Sequence, residues 1–158
     1  MKRIALLAGS YVLVAIIAFT VGSKVGFRQR VEVGQAMEKV GSMVTAAWAS
    51  QRAALLFHEA DYAQAREALV SQVAVLEELA SRPDLGGVSM AHSDLAMAYM
   101  RLAILEDRKG NPAKSADFST KAEANARQAG WRDPSASCIR WLVERAEKDA
   151  SRNSKPGA

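Results

Sequence analysis

Nineteen consecutive residues near the start of the chain, Ile4 to Gly22, carry no charge. No other feature restricts the architecture as strongly. At about 1.5 Å per residue a helix of this length reaches roughly 28 Å, close to the hydrocarbon thickness of a bilayer. Lys2 and Arg3 precede the run, and Lys24, Arg28 and Arg30 follow it. Two readings compete. A cleaved signal peptide has an apolar run of about 7–15 residues and then a small-x-small site. Here the run is longer, and its best site, Val21-Gly22-Ser23, is weak. The reading taken is an uncleaved transmembrane signal anchor over residues 1–30, with residues 4–22 in the lipid bilayer. The basic residues on its two sides are nearly balanced, so they fix the orientation poorly. A very short N-terminal tail stays in the cytoplasm. That places residues 31–158 in the periplasm, on a bacterial inner membrane crossed once; the reverse orientation is the alternative.

The same five residues explain the net charge of +4. The first thirty residues contain no Asp or Glu, and the rest of the chain is close to neutral. A basic face for phosphates is therefore not expected, and nucleic acid is excluded as a partner. Cys138 is the one cysteine, which rules out an intrachain disulfide. It reads as a small apolar residue on a helix.

Aromatic residues make up only 6% of the chain while apolar residues make up 49%. That mixture favours helices packed through small side chains over a sheet, so the fold class is all-α. Glycines 26, 34 and 41 weaken any helix through a juxtamembrane neck at residues 31–41. A first helix runs from about Ala36 or Ser42 to His58, with Met43, Val44, Ala47, Trp48, Leu55 and Leu56 mostly on one side. Asp61 caps a second helix, whose stripe is Tyr62, Ala65, Leu69, Val73, Leu76 and Leu79. Pro83 and Gly86-Gly87 stop it. A third helix spans about Ser89 to Lys109, with Ser89 as its cap and Val88, Ala91, Leu95, Ala98, Leu102 and Leu105 as its core stripe. Gly110-Asn111 supplies a left-handed turn, and Pro112 opens a fourth helix to Gln128. The fourth helix has a weak stripe of Ala116, Phe118, Ala122, Ala126 and Ala129. A fifth covers about Ser135 to Ala150, with Ile139, Leu142, Val143 and Ala146 on one face. The helical domain is thus residues 42–150, followed by a disordered tail over residues 151–158.

No convergent chemistry is visible. His58 and His92 lie on different helices without neighbouring ligands, so no metal site and no cofactor is expected; His58 suits a helix C-terminus. Ser89, His92, Ser93 and Asp94 have the residue types of a hydrolase. They crowd one helical turn, however, where a triad must be assembled on a scaffold with an oxyanion hole. Glu77-Glu78 and Glu106-Asp107 face about 100° apart and read as solvated carboxylates. Gly86-Gly87 has neither the strand nor the lysine of a phosphate loop. The chain is not read as an enzyme.

The stretch around Gly110-Asn111 resembles the tetratricopeptide repeat family. Tyr99, Leu102 and Ala103 match its first helix, Gly110-Asn111 its turn, and Ser115 and Ala122 the small positions of its second helix. Glu106 and Ser119 stand where that family has large or aromatic residues, and Phe118 is one place away from the latter. A second hairpin carries Ala49, Ala53, Leu56, Ala60, Asp61, Ala65 and Leu69, with Arg52 and Gln72 departing from the pattern. Its turn precedes the other by about 50 residues, against a family period of about 34. The resemblance covers roughly residues 42–129. It implies antiparallel helical hairpins, with the fifth helix as a C-terminal cap. An ordinary antiparallel bundle is the alternative.

Met97, Met100 and Ile104 form a second apolar stripe on the third helix, beside Arg101 and Arg108. Two roles fit it: packing on the first hairpin, or a groove offered to a partner. The resemblance would place it on the concave ligand surface, so Met97, Met100, Arg101, Ile104 and Arg108 are the candidate partner-binding residues. The expected function is non-catalytic: a scaffold, or an accessory or assembly subunit of an envelope complex. Its partner would be a membrane-associated protein, and self-association is open. The alternative is a single-pass sensor with a small helical ligand-binding domain.

Overall fold

The computed structural model describes Gly34 and residues 37–58, 60–85 and 87–153. The anchor over 1–30, its apolar run and its basic flanks Lys2, Arg3, Lys24, Arg28 and Arg30 lie outside these residues. Every regular element among the described residues is helical. None of these helices is long and apolar enough to cross a membrane.

The chain divides into two units, Met1–Val40 and Gly41–Ala158. Helical backbone covers residues 37–58, so part of the expected neck is helix. In the second unit, α1 comprises residues 41–58. Four helices follow: α2 (Tyr62–Ala80), α3 (Val88–Arg108), α4 (Pro112–Gln128) and α5 (Ala136–Asn153), with a short 3-10 turn at Pro83–Leu85. α5 continues three residues into the stretch expected to be a tail.

The turns follow local chemistry. The Asp61 carboxylate accepts a hydrogen bond from the Gln64 N–H at 2.9 Å, closing the start of α2. Gly110 adopts φ +80°, the left-handed conformation that releases the chain from α3. Pro112 then fills the first turn of α4, where its missing N–H costs nothing. α3 starts differently from expectation. Its cap is Gly87, at φ 84°, and Ser89 lies inside the helix. The Ser89 hydroxyl donates instead to the Ala129 carbonyl at 3.1 Å, pinning α3 to the end of α4.

α3 is the central element and packs on α2, α4 and α5. Ala91, Leu95, Ala98, Leu102 and Leu105 are buried as the periodicity requires, and so are Ala65, Leu69, Val73, Leu76 and Leu79 of α2. Ala96, Ala98, Ala103, Ala122 and Ala126 are fully enclosed. Side chains this small let helix axes approach closely, which explains a tight core with few aromatics. On α4 and α5, Ala122, Ala126, Ile139 and Val143 are buried, while Ala116 and Ala146 face solvent.

Candidate functional site

α1 is apolar on two opposite faces. At 100° per residue, Ala46, Ala53 and Phe57 fall within about 40° of one another. These three are buried. Val44, Trp48 and Leu55 fall within a similar arc about 180° away. They stand 49%, 70% and 54% exposed. Of the large side chains that the sequence groups on one side of this helix, Val44, Trp48 and Leu55 are turned outward with Ala47 exposed beside them, while Met43 and Leu56 are half-buried and Leu56 packs on the core. The core takes the smaller set and Phe57.

The inner face is well held. Gln72 of α2 donates to the Ser50 hydroxyl at 2.9 Å. The Arg108 guanidinium of α3 lies 5.1 Å from the Phe57 ring centre, within the range of a cation–π attraction. His58 pairs with Glu147 of α5, and Glu147 also accepts from Arg101 Nε at 3.0 Å. α1 cannot roll to hide its outer face without losing these contacts.

Beside the outer face runs a cleft of about 610 Å³ between α1 and α2. Thr45, Trp48, Ala49, Arg52 and Leu56 line one wall, and Gln64, Glu67, Ala68, Ser71 and Val75 line the other. Other exposed large apolar residues of this unit, Val70, Met90 and Trp141, are single and lie on other helices. Scattered residues of that kind are normal, whereas a line of them along one helix marks a surface for association. Covering Val44, Trp48 and Leu55 would be worth roughly 1–2 kcal/mol each.

The residues expected to bind a partner are placed otherwise. Met100 and Ile104 are in the core, and Met97 is half-buried against it. Arg101 is committed to Glu147, and Arg108 to Phe57. The second stripe of α3 is filled from within the molecule, because α3 has helices on three sides.

The polar clusters are likewise structural. Glu106, expected to be solvated, is 0% exposed. It accepts hydrogen bonds from Tyr62 Oη (2.8 Å), Arg66 Nε (3.0 Å) and Asn111 Nδ2 (2.8 Å). Burial alone would raise its carboxyl; the bonds from Asn111, Tyr62 and Arg66, with the charge of Lys114, more than offset this and hold it below the ordinary value. The departure from the repeat pattern at Glu106 is thus a polar staple joining α2, α3 and the α3–α4 turn. Asp107 is also lowered, by hydrogen bonds from Ser115 and Arg140. Burial raises Asp94, with Arg101 opposing.

Ser89, His92 and Ser93 form no nucleophile–base relay. His92 Nδ1 lies 2.8 Å from Asn125 Oδ1, and Ser93 accepts from the Trp131 indole at 3.0 Å. Together with Ser89 they latch α3 to α4 and the segment after it. No group of three His, Cys, Asp or Glu among the described residues could hold a metal ion. Comparison with protein-family models, with curated proteins and with solved structures finds no match.

Proposed function

We propose that this chain is a membrane-anchored, non-catalytic interaction module that joins a protein assembly through the outer face of α1. The carrying observation is the line of exposed Val44, Trp48 and Leu55 beside the α1–α2 cleft. An apolar ridge held rigid from behind, with Trp at its centre, has the make-up of an interface core. Residues 4–22 would anchor the module in a bacterial inner membrane, with the helical unit on the periplasmic side. The helices would pair as two tetratricopeptide-like hairpins, α1–α2 and α3–α4, capped by α5. Buried Ala98, Ala103, Ser115 and Ala122, with the left-handed Gly110 turn, support that pairing.

The test is the size of the native assembly. Full-length chain extracted from membranes in mild detergent should migrate well above its monomer mass. Trp48→Ser should reduce that mass without shifting the melting temperature of the dissociated monomer. An unchanged assembly in the Trp48→Ser chain would contradict the proposal.

A further inference from the structure

The ion pairs between α3 and α5 set a register that runs past the end of α5. Arg140 pairs with Asp107, and Glu147 accepts from Arg101 Nε at 3.0 Å. Seven residues forward on α5 thus correspond to six residues back on α3, and the two helices lie antiparallel. One more heptad along the faces of Glu147 and Arg101 brings position 154 level with Asp94. α5 stops one residue short of that point, at Asn153.

Asp94 is half-buried and takes part in no ion pair among the described residues. Arg101, one heptad away on the same face, attracts it across space but is held by Glu147. Met90 and Met97 fall within about 60° of Asp94 round α3. Met90 is 53% exposed, and Met97 is half-buried against the core. This end of α3 therefore carries a partly desolvated carboxylate between two methionines, where α5 has already ended. Such a carboxylate without a counter-ion opposes folding, and a cation placed beside it offsets that cost.

The chain continues as Ser154, Lys155 and Pro156. Position 155 is one residue past the level of Asp94, and lysine carries its charge on a flexible stem. The other charged positions near this end of α5 are less well placed. Position 148 lies about 9 Å short of the Asp94 level, and positions 149 and 152 fall about 160° and 140° round the helix from Glu147. We propose that the segment after α5 is a strap: it continues the path of α5 along α3, pairs Lys155 with Asp94 and covers Met90.

Carbodiimide coupling of the full chain, held as a dissociated monomer in detergent, tests this. A zero-length link between Asp94 and Lys155 should be found by mass spectrometry of the digest. Lys155→Arg keeps the charge, so it should abolish the link and leave the melting temperature in place. Lys155→Glu should lower the melting temperature by about 2–4 °C. In an Asp94→Asn background the same reversal should have little effect. Absence of the Asp94–Lys155 link, or an unchanged melting temperature in Lys155→Glu, would overturn the strap. A drop that persists in full in the Asp94→Asn background would overturn the pairing as well. If Arg152→Glu rather than Lys155→Glu shows the dependence on Asp94, α5 itself supplies the cation and the strap falls.

Discussion

α1 and α3 are built on the same plan and end in different places. Each carries apolar residues on two sides. Both sides of α3 are buried, because α2, α4 and α5 all pack on it. α1 buries Ala46, Ala53 and Phe57 and leaves Val44, Trp48 and Leu55 in solvent. A two-faced helix thus has one meaning at the centre of a bundle and another at its edge. At the centre, the second stripe is core. At the edge, it stands exposed among the described residues.

The comparison can be broken by matched substitutions in the full chain. Met100→Ala should have the largest effect, about 3 kcal/mol of stability, because it opens a cavity in a packed core; thermal melting measures this. A loss under 1 kcal/mol would mean that the α3 stripe is not core. Glu106→Ala should follow at about 2 kcal/mol, since it strips the acceptor from three donors.

Glu106 also sets a pH dependence. Its folded pKa is depressed, so its contribution is fully present above the unfolded value and is lost as pH falls through the folded one. Asp107 adds in the same sense. Asp94, raised by burial, works in the opposite sense. Melting temperature should therefore drop on acidification below the ordinary Glu value of about 4.5, and Glu106→Gln should flatten that drop. An identical acid profile in Glu106→Gln would remove the staple from the account.

Gly110→Ala should cost about 1 kcal/mol. No atom lies near its added Cβ, and the penalty comes from φ +80° alone. The smallest effect belongs to α1. In the detergent-dissociated monomer, Trp48→Ser should change stability by less than about 0.5 kcal/mol, as exposed positions do. A loss like that of Met100→Ala would show that the α1 outer face is covered within the molecule.

Much of the fold is legible in the residues. The α2 stripe, the Asp61 cap and the Gly110-Asn111-Pro112 corner all follow from local rules that tertiary context did not override. What periodicity could not decide is which of two apolar faces turns inward. Val44, Trp48 and Leu55 are larger than Ala46 and Ala53, so size alone does not identify the inner face. The signal was present in Ala46, Ala53 and Phe57, spaced by seven and four, but a core this tight selects small residues over large ones. Glu106 was missed for a related reason. Its partners Tyr62 and Arg66 lie 44 and 40 residues away in sequence, beyond any local pattern, so a charged residue read as solvated. Ser89 has the chemistry of a helix cap, yet Gly87 takes that role.

The central claim is that the outer face of α1 is covered in the native membrane. Hydroxyl-radical footprinting of tryptophan tests it within one molecule. Trp48 and Trp141 are both exposed in the isolated chain, at 70% and 53%, and Trp141 serves as the internal reference. Trp48 oxidation in native membranes should fall several-fold relative to detergent-solubilised monomer, while Trp141 oxidation stays unchanged. Equal oxidation of Trp48 in the two preparations would contradict the account.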